Sequence, residues 1–309
     1  MTQSLKDRLN LAMLARWGGR TLIALSFVFL AFEIQRNWSS AHGWQPHVTD
    51  FLAIAGLALL YGLALTLLVE GWHQIISIFG PEARKRTYPS YAMTQIAKYL
   101  PGNVAHLFGR GVYLRGGPLK DGQIVKATIA ELVSIPGAAC ICILVAGVIG
   151  ALPGSVGWLP AKSWTALLFL AIVIVAIVAV LANRTGTANK QQIRAFSGSV
   201  FLSILFMLAL GGLYAACFGL LANAPFLQLA SAAIIAWLVG YLTPGAPGGL
   251  GTREAAFVLL LGHLDQENAV LISAALFRVV TILGDCALFT GGWLVFPRIW
   301  PQAASQKGV

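Results

Sequence analysis

The chain has 309 residues, 58% hydrophobic and only 10% charged, with a mean hydropathy of +0.77. Soluble domains carry nearer a quarter charged residues, so composition excludes an ordinary soluble fold and points to a bilayer. The net charge of +10 comes without the polar surface that a nucleic acid needs. It reads instead as a topology signal and an attraction to anionic lipid headgroups.

In chain order, Met1 to Arg20 is polar, and the apolar run after it lacks a small-x-small cleavage site, so no cleavable signal is expected. Spans are predicted at residues 21–34, 51–76, 124–150, 164–181, 200–221 and 269–296. Two further apolar segments, 88–113 and 226–262, are too long for one span and too interrupted for two. The first reads Tyr99-Leu100-Pro101-Gly102 and the second Tyr241-Leu242-Thr243-Pro244-Gly245, continued by Ala246-Pro247-Gly248-Gly249-Leu250-Gly251. A Pro/Gly break in a bilayer frees backbone groups that lipid cannot satisfy, so it survives only inside protein or against a wet cavity. Re-entrant hairpins fit both segments. A matched pair of interrupted segments in two halves of a chain points to a transporter's central site.

Loop charges give the topology. Lys6, Arg8, Arg16 and Arg20 precede the first span. Arg84, Lys85, Arg86, Arg110, Arg115, Lys120 and Lys126 follow the second, and Arg184, Lys190 and Arg194 follow the fourth. The intervening loops carry only Arg36 and Lys162, and those around Asn223 and His263 to Glu267 carry no Lys or Arg. The positive-inside rule is obeyed throughout if both termini are cytoplasmic and neither broken segment crosses. The expected architecture is therefore an all-α polytopic membrane protein, N-in and C-in, with about six full spans plus two Pro/Gly-broken re-entrant hairpins. It forms a single integral membrane domain over 1–309, built from inverted-topology repeats at about 17–150 and 161–296. The competing layout is eight ordinary spans kinked at Pro-Gly.

The run Gln95-Ile-Ala-Lys-Tyr-Leu-Pro-Gly-Asn103 with Phe108-Gly-Arg110, and the run Thr243-Pro-Gly-Ala-Pro-Gly-Gly-Leu-Gly-Thr-Arg-Glu254, together carry a resemblance. They are similar to the two signature regions of the lysylphosphatidylglycerol synthase transmembrane family, the flippase-like membrane proteins. The resemblance implies a multi-pass protein of the bacterial inner membrane that moves or modifies lipids. Members of that family are tied to translocation of aminoacylated phospholipids or to polyprenyl-linked glycan pathways. The chain ends soon after its last predicted span, so no soluble aminoacyl-transferase domain, and no lysyl transfer, is expected.

Arg253 and Glu254 follow the second break at a helix start. Backbone N–H groups of Gly248, Gly249 and Gly251 with that helix N-terminus would make an anion site, where Arg253 holds a phosphate bidentately. The alternative is that Arg253 and Glu254 neutralise each other or cap the turn. No Gly-Lys-Ser/Thr follows the glycines, which argues against nucleotide. Around the first break, Lys98, Asn103, His106 and Arg110 recur at helical spacing, with Tyr99 beside them. They suit an anionic headgroup entering between Pro101-Gly102 and the second break at Pro244 and Pro247. For Arg110 and Arg115 a solvated cytoplasmic face is the favoured reading, and for Lys98 the site.

A charge at mid-membrane costs about 2.5–3.5 kcal/mol on the insertion scale, so intramembrane charges pair or face cavities. Glu131, Arg278 and Asp285 are such charges, with a Glu131–Arg278 contact between halves as one pairing, serving either fold stabilisation or proton coupling. Glu70 is expected to snorkel. Cys140, Cys142, Cys217 and Cys286 have neither CxxC nor Cys/His spacing and read as packing residues. No metal site, no cofactor and no catalytic constellation is expected.

The functional expectation is a translocase of lipids or lipid-linked headgroups, its ligand a membrane phospholipid or polyprenyl-phosphate-linked lipid. The alternative is a non-transporting accessory protein that partners a lipid- or glycan-assembly enzyme, and homo-oligomerisation stays open. A polyprenyl-phosphate transferase is disfavoured, because no acid–base pair is visible.

Overall fold

A computed structural model describes residues 47–100, 104–154, 156, 163, 189–243, 249, 251–264 and 266–296. Among the described residues the fold is entirely helical: α1 Val48–Phe79, α2 Arg84–Ala92, a 3₁₀ turn Gln95–Tyr99, α3 Ala105–Leu114, α4 Asp121–Val148, α5 Lys190–Phe218, α6 Phe226–Leu242, α7 Thr252–Leu261, a second 3₁₀ turn Gly262–Leu264, and α8 Glu267–Val295. Four of these, α1, α4, α5 and α8, are long and apolar enough to cross a membrane. They overlap four of the six expected spans. The spans expected at 21–34 and 164–181 lie outside the described residues.

Helix α5 begins at Lys190 rather than Val200. Its polar first turns are capped: the Asn189 side chain accepts from Gln191 N–H at 2.6 Å, and Gln192 Oε1 accepts from Asn189 N–H at 3.0 Å. Gln123 does the same for α4, accepting from Lys120 N–H at 2.9 Å. Both glutamines then use their amide N–H groups on the end of α1. Gln123 donates to the Phe79 carbonyl at 2.6 Å and Gln192 to the Ile78 carbonyl at 3.0 Å. Two starting helices thereby satisfy carbonyls that a terminating helix leaves open.

Among the described long helices α8 is the most buried. Its most apolar stretch is 72% buried, against 39–44% for the other three long helices. It packs against α1 at Gly62 and Gly284, where a methyl on Gly284 would stand 2.7 Å from the Ala58 carbonyl oxygen and 2.9 Å from Gly62 N. Small residues there let two backbones touch, which is how helices associate where lipid removes the hydrophobic drive.

Both Pro-Gly segments are interrupted helices. The first comprises α2, the 3₁₀ turn and α3, which pack on one another, and the second comprises α6 and α7, which also pack together. At 1.5 Å per residue α6 is only about 25 Å long and α7 about 15 Å, so neither alone spans a hydrocarbon core of about 30 Å. Val104, Phe108 and Val112 form an exposed apolar stripe on one face of α3, while Arg110, Tyr113 and Leu114 are buried on the other.

Candidate functional site

The first broken segment is anchored to α8 by a buried carboxylate. Lys98 Nζ lies 2.7 Å from Asp285 Oδ2 and donates to Oδ1 at 2.9 Å, and the Tyr99 hydroxyl donates to Oδ2 at 2.5 Å. Asp285 is fully buried. An ionised carboxylate survives there only with such partners. The Lys98 ammonium also lies 5.2 Å from the Tyr99 ring centroid, and the Arg278 guanidinium lies 5.9 Å from the same ring. Lys98, Tyr99, Arg278 and Asp285 thus form one cluster.

Arg110 corrects the expectation of a solvated face, because only 2% of it is exposed. Its guanidinium pairs with Glu131 on α4, donates to Gln95 Oε1 at 3.0 Å, and lies 3.6 Å from the Tyr91 ring centroid. Burial follows from the amphipathic rotation of α3, which turns Phe108 out and Arg110 in. Glu131 is therefore paired with Arg110 and not with Arg278. Arg115, by contrast, is exposed and meets Asp121 at 3.4 Å. Glu70 is held by the Tyr88 hydroxyl, by Arg84 at 3.3 Å and by Gln74 at 3.4 Å, so it is a strap between α1 and α2.

At the second break, Gly249 and Gly251 have φ of +78° and +74°, the left-handed region that glycine enters freely. They bring the chain round into α7, which is pinned by Phe257 stacked on Tyr214 of α5 at 4.2 Å. Arg253, on the first turn of α7, runs over glycine Cα atoms. A methyl on Gly240 would stand 2.6 Å from its Cγ and Nε, and one on Gly249 would stand 2.7 Å from Nε. The slot exists because both positions lack a side chain. Arg253 Nε and Glu254 Oε2 are buried and have no hydrogen-bond partner among the described residues.

Both side chains line a cavity of about 20 Å³, with Arg278 and Thr281 of α8 and the aromatic rings of Trp237 and Phe257. That volume suits one or two waters. Among the described residues its lining comes from α5, α6, α7 and α8, and none of it from the first broken segment. Arg278 belongs both to this wall and to the Tyr99 cluster, so α8 links the described flanks of the two broken segments. Among the described residues no group of three or more His, Cys, Asp or Glu converges as a metal site.

Pro101, Gly102, Asn103, Pro244, Pro247 and Gly248 lie outside the described residues. Sequence reasoning passed over Tyr91, Trp237 and Thr281. Each sits one or two helical turns from a singled-out residue, and only helix rotation tells that it faces the same way. Comparison with protein-family models and with curated proteins gave no match.

Proposed function

We propose that this chain is a multi-pass protein of the bacterial inner membrane that translocates a lipid or lipid-linked headgroup. The two broken segments act as re-entrant hairpins of two inverted repeats and hold the anionic headgroup between them. The observation that carries this reading is Arg253: a guanidinium over a glycine slot, beside a break, with a buried Nε that no described group satisfies. Buried donors are ordinarily matched, and an unmatched one calls for a ligand or water. A phosphate oxygen at the start of α7 would meet that donor, the helix N-terminus and Arg278 together.

The reading is tested in liposomes of phosphatidylethanolamine and phosphatidylglycerol, seeded with NBD-labelled phosphatidylglycerol and bleached from outside. Wild-type protein should make both leaflets accessible. Arg253→Ala should cut that rate at least tenfold with unchanged thermal stability, and Arg253→Lys should recover only part, because an ammonium lacks the planar fork. Equal rates for wild type and empty vesicles would instead support the accessory-protein alternative.

A further inference from the structure

Helix α4 carries Pro136 in its interior. Proline has no N–H, so the carbonyl four residues earlier, on Leu132, lacks its helical donor, and the proline ring pushes against it. Leu132 is on the outward side of α4, 37% exposed, where lipid offers no hydrogen bond. The donor comes from the other half of the chain: the Tyr241 hydroxyl, on the last turn of α6 before the second break, reaches Leu132 O at 3.3 Å. Its ring is steadied by stacking on Trp237 at 5.0 Å, and Trp237 is itself a wall of the cavity. The residue before Leu132 is Glu131, which holds Arg110 of the first segment. Two consecutive residues of α4, at the turn that proline weakens, are therefore tied to opposite broken segments.

We propose that Tyr241 is a positioning residue that couples the second broken segment to the first through the proline-weakened turn of α4. This rests on the translocation reading and deepens it. A headgroup that displaces Trp237 and the end of α6 moves the Tyr241 hydroxyl. The hydroxyl bends α4 at a turn short of one ladder bond, and the bend carries the Glu131 carboxylate with its Arg110 partner. The Tyr99–Asp285 bond joins the first segment to α8 in the converse sense, so each segment is tied to the last long helix of the other half.

Proline itself supplies the discriminating experiment. In P136A residue 136 regains an N–H, the Leu132 carbonyl is satisfied within α4, and Tyr241 is released. If Tyr241 merely quenches a stranded carbonyl, P136A should restore the lipid-flipping rate and stability of Y241F to wild-type values. If it couples, Y241F and P136A should each lose about fivefold in rate, roughly what one hydrogen bond is worth. The double variant should then be no slower than either, and P136A should be at least as thermostable as wild type. A second readout needs no transport. Hydrogen exchange of backbone amides across Gln95–Leu114 should quicken in both single variants. Restoration by P136A, or unchanged exchange across 95–114 in both variants, would overturn the coupling. Exchange that quickens in a wild-type background that moves no lipid would support the coupling and sink the translocation reading alone.

Discussion

Around the first break two cations meet carboxylates: the part-buried Lys98 meets Asp285 at 2.7 Å, and the buried Arg110 meets Glu131, although Arg110 Nε itself has no hydrogen-bond partner among the described residues. Around the second, Arg253 keeps a buried Nε and Glu254 a buried Oε2 with no hydrogen-bond partner among the described residues. The two segments share Tyr-Leu before Pro-Gly and an arginine after it, yet one has its counter-charges built in and the other does not. A cation with an internal carboxylate anchors a fold. Arg253, in its glycine slot, has no such carboxylate against it among the described residues, and under the proposed function that is what leaves it for an anion from outside the chain. Under the proposed function, the first segment supplies the frame and the second the contact with the headgroup.

The sharpest way to break the comparison is to remove a counter-charge from the anchored side. Glu131→Ala leaves Arg110 charged in a site 2% exposed, and breaking a buried pair on one side costs about 3–5 kcal/mol. The variant should unfold well below wild type in detergent, and replacing Arg110 by Met in the same chain should recover much of the loss. A wild-type unfolding temperature for Glu131→Ala would mean that the pair is no anchor. Asp285→Ala should cost less, about 1–3 kcal/mol, although it strands two donors. The Lys98 side chain is 17% exposed and can turn its ammonium toward water, so the residual penalty falls mainly on Tyr99.

Much of this was legible in the sequence because it depends on composition along one helix. Four helices long and apolar enough to cross a membrane followed from apolar length, and the two interruptions from Pro and Gly. Pairing was less legible, because it depends on how each helix is rotated against another. Arg110 and Arg115 look equivalent in a string of basic residues. Only the exposed stripe Val104, Phe108 and Val112 sets Arg110 on the inner face. The Lys98–Asp285 pair joins residues from opposite halves of the chain, and no local pattern announces it. The Tyr241–Leu132 bond sits between these cases: Pro136 declares that a carbonyl is free, and the fold alone says who satisfies it.

A smaller effect tests the unmatched side. Gly249→Ala puts a methyl into a left-handed backbone, at a cost of about 1–2 kcal/mol. The same methyl would stand 3.0 Å from Gly240 Cα and 2.7 Å from Arg253 Nε, so the arginine must leave its slot. The expected result is a modest fall in unfolding temperature with a loss of lipid flipping close to that of Arg253→Ala. Normal flipping with the same modest destabilisation would show that the slot does not position Arg253.

The smallest effect comes from a pair that shares its chemistry with the largest. Arg115 and Asp121 are again an arginine and a carboxylate, in the same stretch of chain as Arg110 and Glu131, at 3.4 Å. Their side chains are 64% and 68% exposed, so water screens the attraction, and two mobile side chains must be ordered to make it. Such pairs contribute about 0.2–1 kcal/mol at most and often nothing measurable. Asp121→Ala strands no buried charge, and its effect should shrink further in high salt. The ratio between Glu131→Ala and Asp121→Ala therefore reports solvent exclusion, once the small helix-dipole contribution of Asp121 in the first turn of α4 is allowed for. Comparable losses for the two variants would mean that burial does not set the strength of the first segment's anchor, and the contrast between a matched and an unmatched break would lose its physical basis.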